Sequence, residues 1–457
     1  MNTIRSNDRL TFEAATHVSV FDGMNPAEIV DRLNGMDPFE AAEILLALSS
    51  EKAVSVLKQP ELHDAAGILA HMPGNDAARL LNSLPNDRAT DLLGELDGDF
   101  RASLIALLDH ATLATVRKLM RYPAHTAGSI MTTEFVSVPA DWTVAQTLSH
   151  VRRVERSRET VYAIYVLDPG TRALLKVVTL RRLITGEPDA SILSVAHDTA
   201  PVTIDPLMDQ EDVARLIRKH NFLALPVVDD AKHILGIVTV DDVIDTMIAE
   251  TTEDAQKYGG MEALGKPYMQ MGFFSMIQKR GGWLAALFLG EMLTASAMQH
   301  YEVELEKAIV LTLFIPLIMS SGGNSGSQAT SLVIRSLALH ELHLSDWWRV
   351  LLREIPSGLV LGSLLGLVGM VRIAIWQQAG FYDYGEHWML IALTVGATLM
   401  GIVTFGTTTG SMLPFILQRL GFDPASASAP FVATLVDVTG LVIYFSVALV
   451  ILQGTLL

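Results

Sequence analysis

The stretch "PFVATLVDVTGLVIYF", Pro430 to Phe445, holds one carboxylate, Asp437, in an otherwise uncharged and mainly apolar run. A charge at the centre of a membrane helix costs roughly 2.5 to 3.5 kcal/mol on insertion scales, so it faces a partner or a wet path. No Lys or Arg lies mid-span to serve, because Arg335, Arg372 and Arg419 all fall near the ends of apolar stretches. A passing cation is therefore the favoured counter-charge. The alternative is a protonated or packing Asp hydrogen-bonded to Ser, Thr or Asn.

A second stretch, "IPLIMSSGGNSGSQATSLVIRSLAL", carries polar groups where an apolar span is expected. Three-and-four spacing puts Pro316, Ser320, Gly323 or Asn324, Ser327 and Ser331 on one stripe, and Pro430, Thr434 and Asp437 on another. Pro316 and Pro430 are expected to interrupt their helices, which is tolerated at that depth only inside protein or beside a wet cavity. Hard divalent cations take oxygen ligands, and Mg2+ holds its water tightly, so one carboxylate ringed by hydroxyls and carbonyls suits hydrated Mg2+. Glu291, also mid-span, is read either as a protonated packing residue or as a second cation ligand or proton carrier.

The elements that position these groups lie in two solvents. Residues 281–457 hold 11 Asp+Glu and 6 Lys+Arg, and residues 1–280 hold the remaining 39 and 27 of a chain with net charge −17. The first part reads as soluble and acidic, the second as membrane-embedded. Five spans are expected, near 281–301, 307–334, 354–376, 387–418 and 430–454. Lys279, Arg280, Arg335, Arg349, Arg353 and Arg419 mark the cytoplasmic side, which puts residues 1–280 in the cytoplasm and Leu457 outside. The N-terminus lacks an apolar core of signal-peptide type. Cysteine is absent, so disulfides and thiolate metal sites are excluded. The acidic balance argues against nucleic-acid binding.

Within the soluble part, a twelve-residue pattern brings Leu69, Leu81 and Leu93 to the start of successive units, each with turn and capping residues before it. Such units bury their faces by stacking, so an all-α superhelical domain is expected over 1–122. From 123 to 250, β-rich runs alternate with amphipathic helices. A shift of 60 aligns Thr179 with Thr239, Arg182 with Asp242 and Ile184 with Ile244, giving two copies of one module, 123–187 and 188–250. The pattern ending in "GIVTVDDVIDTM" resembles CBS domains, which occur in pairs and often bind adenine nucleotides or ions. A connecting (plug) helix is expected over 251–280 and a transmembrane pore domain over 281–457. The fold class is thus a multidomain membrane protein: superhelix, α/β CBS pair, connecting helix and a five-span α-helical membrane domain.

With "MLPFILQRLGFDPASASAPFVATLVDVTGLVIYF" and the second-span stretch above, this domain order resembles the MgtE family of magnesium channels over nearly the whole chain. The resemblance implies a homodimer in the lipid bilayer of the cell (inner) membrane. It implies a central pore lined by the second and fifth spans of each subunit, with Asp437 at the ion position and Gly323, Asn324, Ser327, Ser331 and Thr434 nearby. Ser327 and Thr407 stand where relatives carry Asn, and Glu291 in a span that is often uncharged.

In the soluble part, Asp242, Asp245, Glu250, Glu253 and Asp254 crowd about three and a half turns of helix, where like charges repel. Asp209 and Glu211 open the preceding helix, and Asp87, Asp91 and Glu95 cluster on the superhelix. If these surfaces face one another, divalent cations between them favour a compact state by binding that state better. The resemblance implies the same regulatory Mg2+ role for the CBS and connector acids, with Asn221 where relatives can carry an acid. Thr239 and Asp242 have the Thr-x-x-Asp spacing that CBS modules use for a nucleotide such as ATP. In the first module the matching residues are Thr179 and Arg182, and Lys or Arg there is expected to pair with an acid across a dimer.

No Walker-type loop is present, and a non-enzymatic Mg2+ channel gated by cytoplasmic Mg2+ is the expected function. The alternatives are a broader divalent-cation channel or cation-coupled exchanger, and a membrane-anchored metal or nucleotide sensor that transports nothing.

Overall fold

The computed structural model describes residues 21, 23–155, 158–265, 268–339 and 341–457, so the reading of the first twenty residues lies outside it. The chain divides into two compact units, Met1–Ala249 and Glu250–Leu457.

The first unit opens with short helices: α1 Pro26–Leu33, α2 Pro38–Ala47, α3 Ser50–Leu57, α4 Ala65–Ala70, α5 Gly74–Leu81, α6 Asn86–Glu95, α7 Gly98–Ile105 and α8 His110–Leu119. Their starts follow local chemistry. Asn25 and Glu28 form a reciprocal capping box, and Asp37, Ser49 and Asp109 each accept a backbone N–H of the first turn. Leu69, Leu81 and Leu93, twelve residues apart, are fully buried in one continuous core, so the sequence repeat is the stacking seam.

Two α/β modules follow. The first contains β1 Val136–Pro139, α9 Val144–Val154, β2 Ala163–Leu167, β3 Leu174–Thr179, α10 Leu180–Thr185 and α11 Ile192–Val195. The second contains α12 Gln210–His220, β4 Ala224–Val228, β5 Ile234–Thr239 and α13 Val240–Tyr258. Strand β2 pairs parallel to β1 and antiparallel to β3, and β4 pairs antiparallel to β5. The two hairpins repeat one register, Ala163 opposite Thr179 and Ala224 opposite Thr239, each with an irregularity one residue before the strand ends.

The second unit carries the membrane helices: α14 Phe273–His300, the short α15 Glu302–Lys307, α16 Ile315–Ala338, α17 Trp347–Gln378, α18 Trp388–Arg419 and α19 Ala429–Leu452. Apart from α15 these are the five expected spans, each long and apolar enough to cross a bilayer. Helix α18 packs against α16, α17 and α19, while α14 packs on α19. Against α16 it approaches backbone to backbone: a Cβ on Gly406 would lie 2.4 Å from the Gly322 carbonyl oxygen, and one on Gly410 2.2 Å from that of Gly326. Small residues in this spacing let membrane helices touch. Thr330 Oγ1 donates across the same seam to the Gly410 carbonyl at 2.8 Å.

Two expectations are corrected. Pro316 and Pro430 do not interrupt helices; each lies in the first turn of one, α16 and α19, where a missing N–H costs nothing. The Ser/Gly/Asn stretch and Gly440 lie inside unbroken helix. The connector over 251–280 is likewise not one helix. Helix α13 ends at Tyr258, Gly260 takes φ +76° and Gly265 φ +71°, and α14 starts at Phe273, ahead of the expected span start at 281.

Candidate functional site

Helix α16 buries one face, with Ile318, Gly322, Gly326 and Ala329 against its neighbours, and presents Pro316, Ser320, Asn324 and Ser331 as an exposed stripe with Ser327 half-buried beside it. Gly323 is buried and faces Ala433 of α19. The stripe is held in register by Asn324 Nδ2 donating to Ser320 Oγ at 3.4 Å. Ser327 Oγ donates to the Ala429 carbonyl at 3.4 Å, and Thr434 Oγ1 to the Pro430 carbonyl at 3.1 Å. Asp437, half-buried one turn beyond Thr434, has no ion-pair partner among the described residues. Five of the six predicted pore residues thus lie on two packed helices with polar atoms at membrane depth, and the sixth, Gly323, is the contact between them.

In the first unit, α6, α13 and the loops beside β1 and β2 enclose a cavity of about 710 Å³ lined by Asp87, Asp91, Glu159, Asp241, Asp242 and Asp245 with Lys58 and Arg88. Burial raises Asp87, and its Oδ1 is buried without a hydrogen-bond partner among the described residues. Burial, with the charge of Asp87 added, pushes Asp91 up to about 7. Burial also raises Glu134 to about 7, reinforced by Asp87 and Glu159. Asp242 rises to about 7 through burial although Thr239 Oγ1 donates to it at 2.5 Å. Burial works to lower the Lys58 ammonium, but Glu159 at 2.9 Å, with Asp87 and Asp241, outweighs it and raises the group.

Such a cleft is short of positive charge. Among the described residues no three acidic or histidine side chains are gathered closely enough to grip a bare ion. A hard-oxygen cavity of this width instead fits a cation that keeps its water shell, with Asp87 Oδ1 as a ready acceptor.

The predicted sensor acids divide. Asp87, Asp91, Asp242 and Asp245 converge on the cavity, and Glu95 adds its charge to Asp91 from the end of α6. Asp209 caps α12 by accepting the Glu211 N–H at 2.8 Å, and neither lines the cavity. Glu250, Glu253 and Asp254 belong to the second unit. There Lys257 Nζ lies 2.6 Å from both Glu253 Oε1 and Asp423 Oδ2. Burial, then the charge of Asp423, raises Asp254 to about 6. Next to Lys257, Tyr258 Oη donates to the Ser327 carbonyl at 2.8 Å, touching the polar stripe.

The nucleotide pair Thr239 and Asp242 is mutually bonded at the start of α13. Arg182 donates to the carbonyls of Ala196 (2.8 Å) and Val195 (3.4 Å), and Lys176 to that of Asp198 (2.7 Å), so within the chain both bases hold the inter-module linker. Sequence reasoning missed Lys58, Arg88, Glu134, Glu159, Lys257, Tyr258 and Asp423. None of these stood out in the sequence: Lys58 meets Glu159 across 101 residues, and Lys257 meets Asp423 across 166.

Comparison with known proteins gives a divalent cation transporter model over residues 315–447, an MgtE intracellular N domain over 24–125 and CBS domains over 127–187 and 194–249. The magnesium transporter MgtE of Thermus thermophilus is 41% identical over 348 residues, 76% of this chain and 74% of the relative. That of Enterococcus faecalis is 36% identical over 333 residues, 73% and 70%. A solved cytosolic domain of the Mg2+ channel MgtE in complex with ATP matches 52% of this chain and 98% of its own at 32% identity, with TM-score 0.48. The chain, a multi-pass membrane protein with an intracellular-type N domain and a CBS pair, belongs to the MgtE family of magnesium transporters.

Proposed function

We propose that this chain is a Mg2+ channel that conducts down the electrochemical gradient and is gated shut by cytoplasmic Mg2+. The observation that carries the reading is the exposed stripe Ser320, Asn324, Ser331 on α16, packed on the helix that bears Asp437, a carboxylate with no fixed cation among the described residues. Hydroxyls, amide and carboxylate at this depth do not face lipid without cost, so a second copy of the chain covers the stripe and a hydrated ion passes between the two. Asp437 attracts the ion, while Asn324, Ser327, Ser331 and Thr434 touch its water.

In this reading residues 1–280 lie in the cytoplasm, following the placement of Lys279, Arg280, Arg335 and Arg419. The cleft around Asp87, Asp91, Asp242 and Asp245 repels itself until Mg2+ enters. Ion binding then favours the compact state, and α13 transmits this to the membrane helices. Asp209, Glu211, Glu250, Glu253 and Asp254 supply further negative charge along the same path. Thr239 and Asp242 are the candidate ATP contacts, the Thr hydroxyl and carboxylate exchanging their mutual bond for ribose or phosphate.

The test is Mg2+ uptake into proteoliposomes by wild type and Asp437→Ala across internal Mg2+ concentrations. The reading expects uptake that falls as internal Mg2+ rises, and loss of uptake in the variant. Full uptake by Asp437→Ala would overturn it.

A further inference from the structure

Helix α14 meets the rest of the membrane unit along a stripe of Trp283, Leu287, Gly290, Thr294, Ala297 and Tyr301, every one partly buried. Two contacts define the seam with α19. The rings of Tyr301 and Phe445 stack with centroids 4.6 Å apart. At Gly290 the helices come so close that a Cβ would lie 2.8 Å from Thr434 Cγ2. Glu291 is the next residue on α14 and Asp437 lies one turn beyond Thr434 on α19, so the two carboxylates sit within about one turn of each other in depth. Glu291 is exposed in the single chain and has no ion-pair partner among the described residues. One turn further on, Thr294 Oγ1 is buried with no hydrogen-bond partner among the described residues.

A free carboxylate within a span is costly unless it serves a charged path. A lipid-facing packing role does not need a glycine beside it to bring α14 onto Thr434. We infer that Glu291 is a selectivity-determining residue for the transported ion, a positioning charge that deepens the negative potential at Asp437 and so favours divalent over monovalent cations. Two negative groups at low dielectric concentrate a doubly charged ion far more than a singly charged one, because the energy scales with the product of charges. The glycine at 290 sets the distance over which that potential acts. This inference rests on Asp437 being the ion position.

The test uses full-length protein in planar bilayers, with Mg2+/K+ permeability ratios from reversal potentials and the Mg2+ concentration for half-maximal flux. Glu291→Gln is expected to keep conducting, to need roughly tenfold more Mg2+ for half-maximal flux, and to lose a similar factor in permeability ratio. Glu291→Asp is expected to restore both toward wild type, which a change in packing alone would not do. If Glu291→Gln does not fold, Glu291→Asp and the salt dependence of wild-type selectivity still decide: selectivity insensitive to ionic strength, with Glu291→Asp unlike wild type, overturns the inference. A Glu291→Gln protein with wild-type ratio and half-saturation overturns it too, while Asp437→Asn in the same bilayers reports on the underlying reading separately.

Discussion

The ammonium of Lys257 lies 2.6 Å from the Asp423 carboxylate, 166 residues further along the chain, while holding Glu253 at the same distance one turn back on its own helix. Asp423 is not merely an anion at the right place. Its other oxygen accepts the Ala425 N–H at 2.8 Å in the turn just ahead of α19. Burial opposes the charge on Lys257, but the two carboxylates outweigh it and hold the ammonium well above its ordinary range. The last turn of α13 is therefore fastened to the entrance of the helix that bears Asp437, and Tyr258 adds a second attachment at the Ser327 carbonyl.

Exchanging Lys257 for Met keeps much of the side-chain bulk and removes the fastening. Breaking a half-buried pair leaves Glu253 and Asp423 facing each other unbalanced. Flux through Lys257→Met is expected to persist at internal Mg2+ concentrations that shut the wild type, with the closing concentration raised roughly tenfold, a shift of about 1.4 kcal/mol. Proteoliposome uptake at graded internal Mg2+ measures it. An unchanged closing concentration would show that the clamp carries no gating signal.

The acidic cleft predicts a pH dependence of the first unit. Asp91, Glu134 and Asp242 titrate at about 7 in the folded chain because burial raises them. Unfolded carboxylates titrate near 4. Between those values the folded state binds more protons, so stability falls as pH rises from about 4 to about 7 and levels off above. In Mg2+-free buffer, residues 1–249 of the full-length protein are expected to be cut by protease faster at pH 8 than at pH 6. Added Mg2+ at pH 8 should slow cleavage most, and Asp91→Asn should narrow the gap between the two pH values. Equal cleavage at both would contradict the burial of these acids.

Gly406→Ala tests the helix seam. The new methyl would stand 2.4 Å from the Gly322 carbonyl oxygen, and backbone has to give way. Overpacking of this kind costs roughly 1 to 3 kcal/mol. Thermal unfolding in detergent should begin at lower temperature than in wild type, whereas Gly282→Ala, in α14 with open space around it and ordinary helical backbone, should leave this seam intact.

Much of this architecture was legible in the residues themselves. Continuous hydropathy marked the five spans, the 60-residue shift marked the paired modules, and the spacing of Leu69, Leu81 and Leu93 marked the helical stack. These signals are local or periodic, and each survives without knowledge of what packs where. The misread positions were those at which one residue type serves two geometries. Pro316 and Pro430 act as helix starters rather than breakers because of where the first turn falls. The cleft was half visible: Asp87, Asp91, Asp242 and Asp245 stand out as runs, but Lys58 meets Glu159 across 101 residues, and no period encodes that meeting. Lys257 was hidden the same way, as one more charge in a polar connector.

At Gly406 and Gly410 the seam between α16 and α18 sets backbone against backbone, and Thr330 bonds across it. Contacts of that kind have almost no give, so the two helices travel together as a single stiff plate. Any widening of a passage along α16 then has to be absorbed by more loosely seated neighbours, and α14, with no fully buried residue along its length, is the compliant member. The stiffest joint of the membrane unit is thus set by where it lacks bulk rather than by where it carries charge.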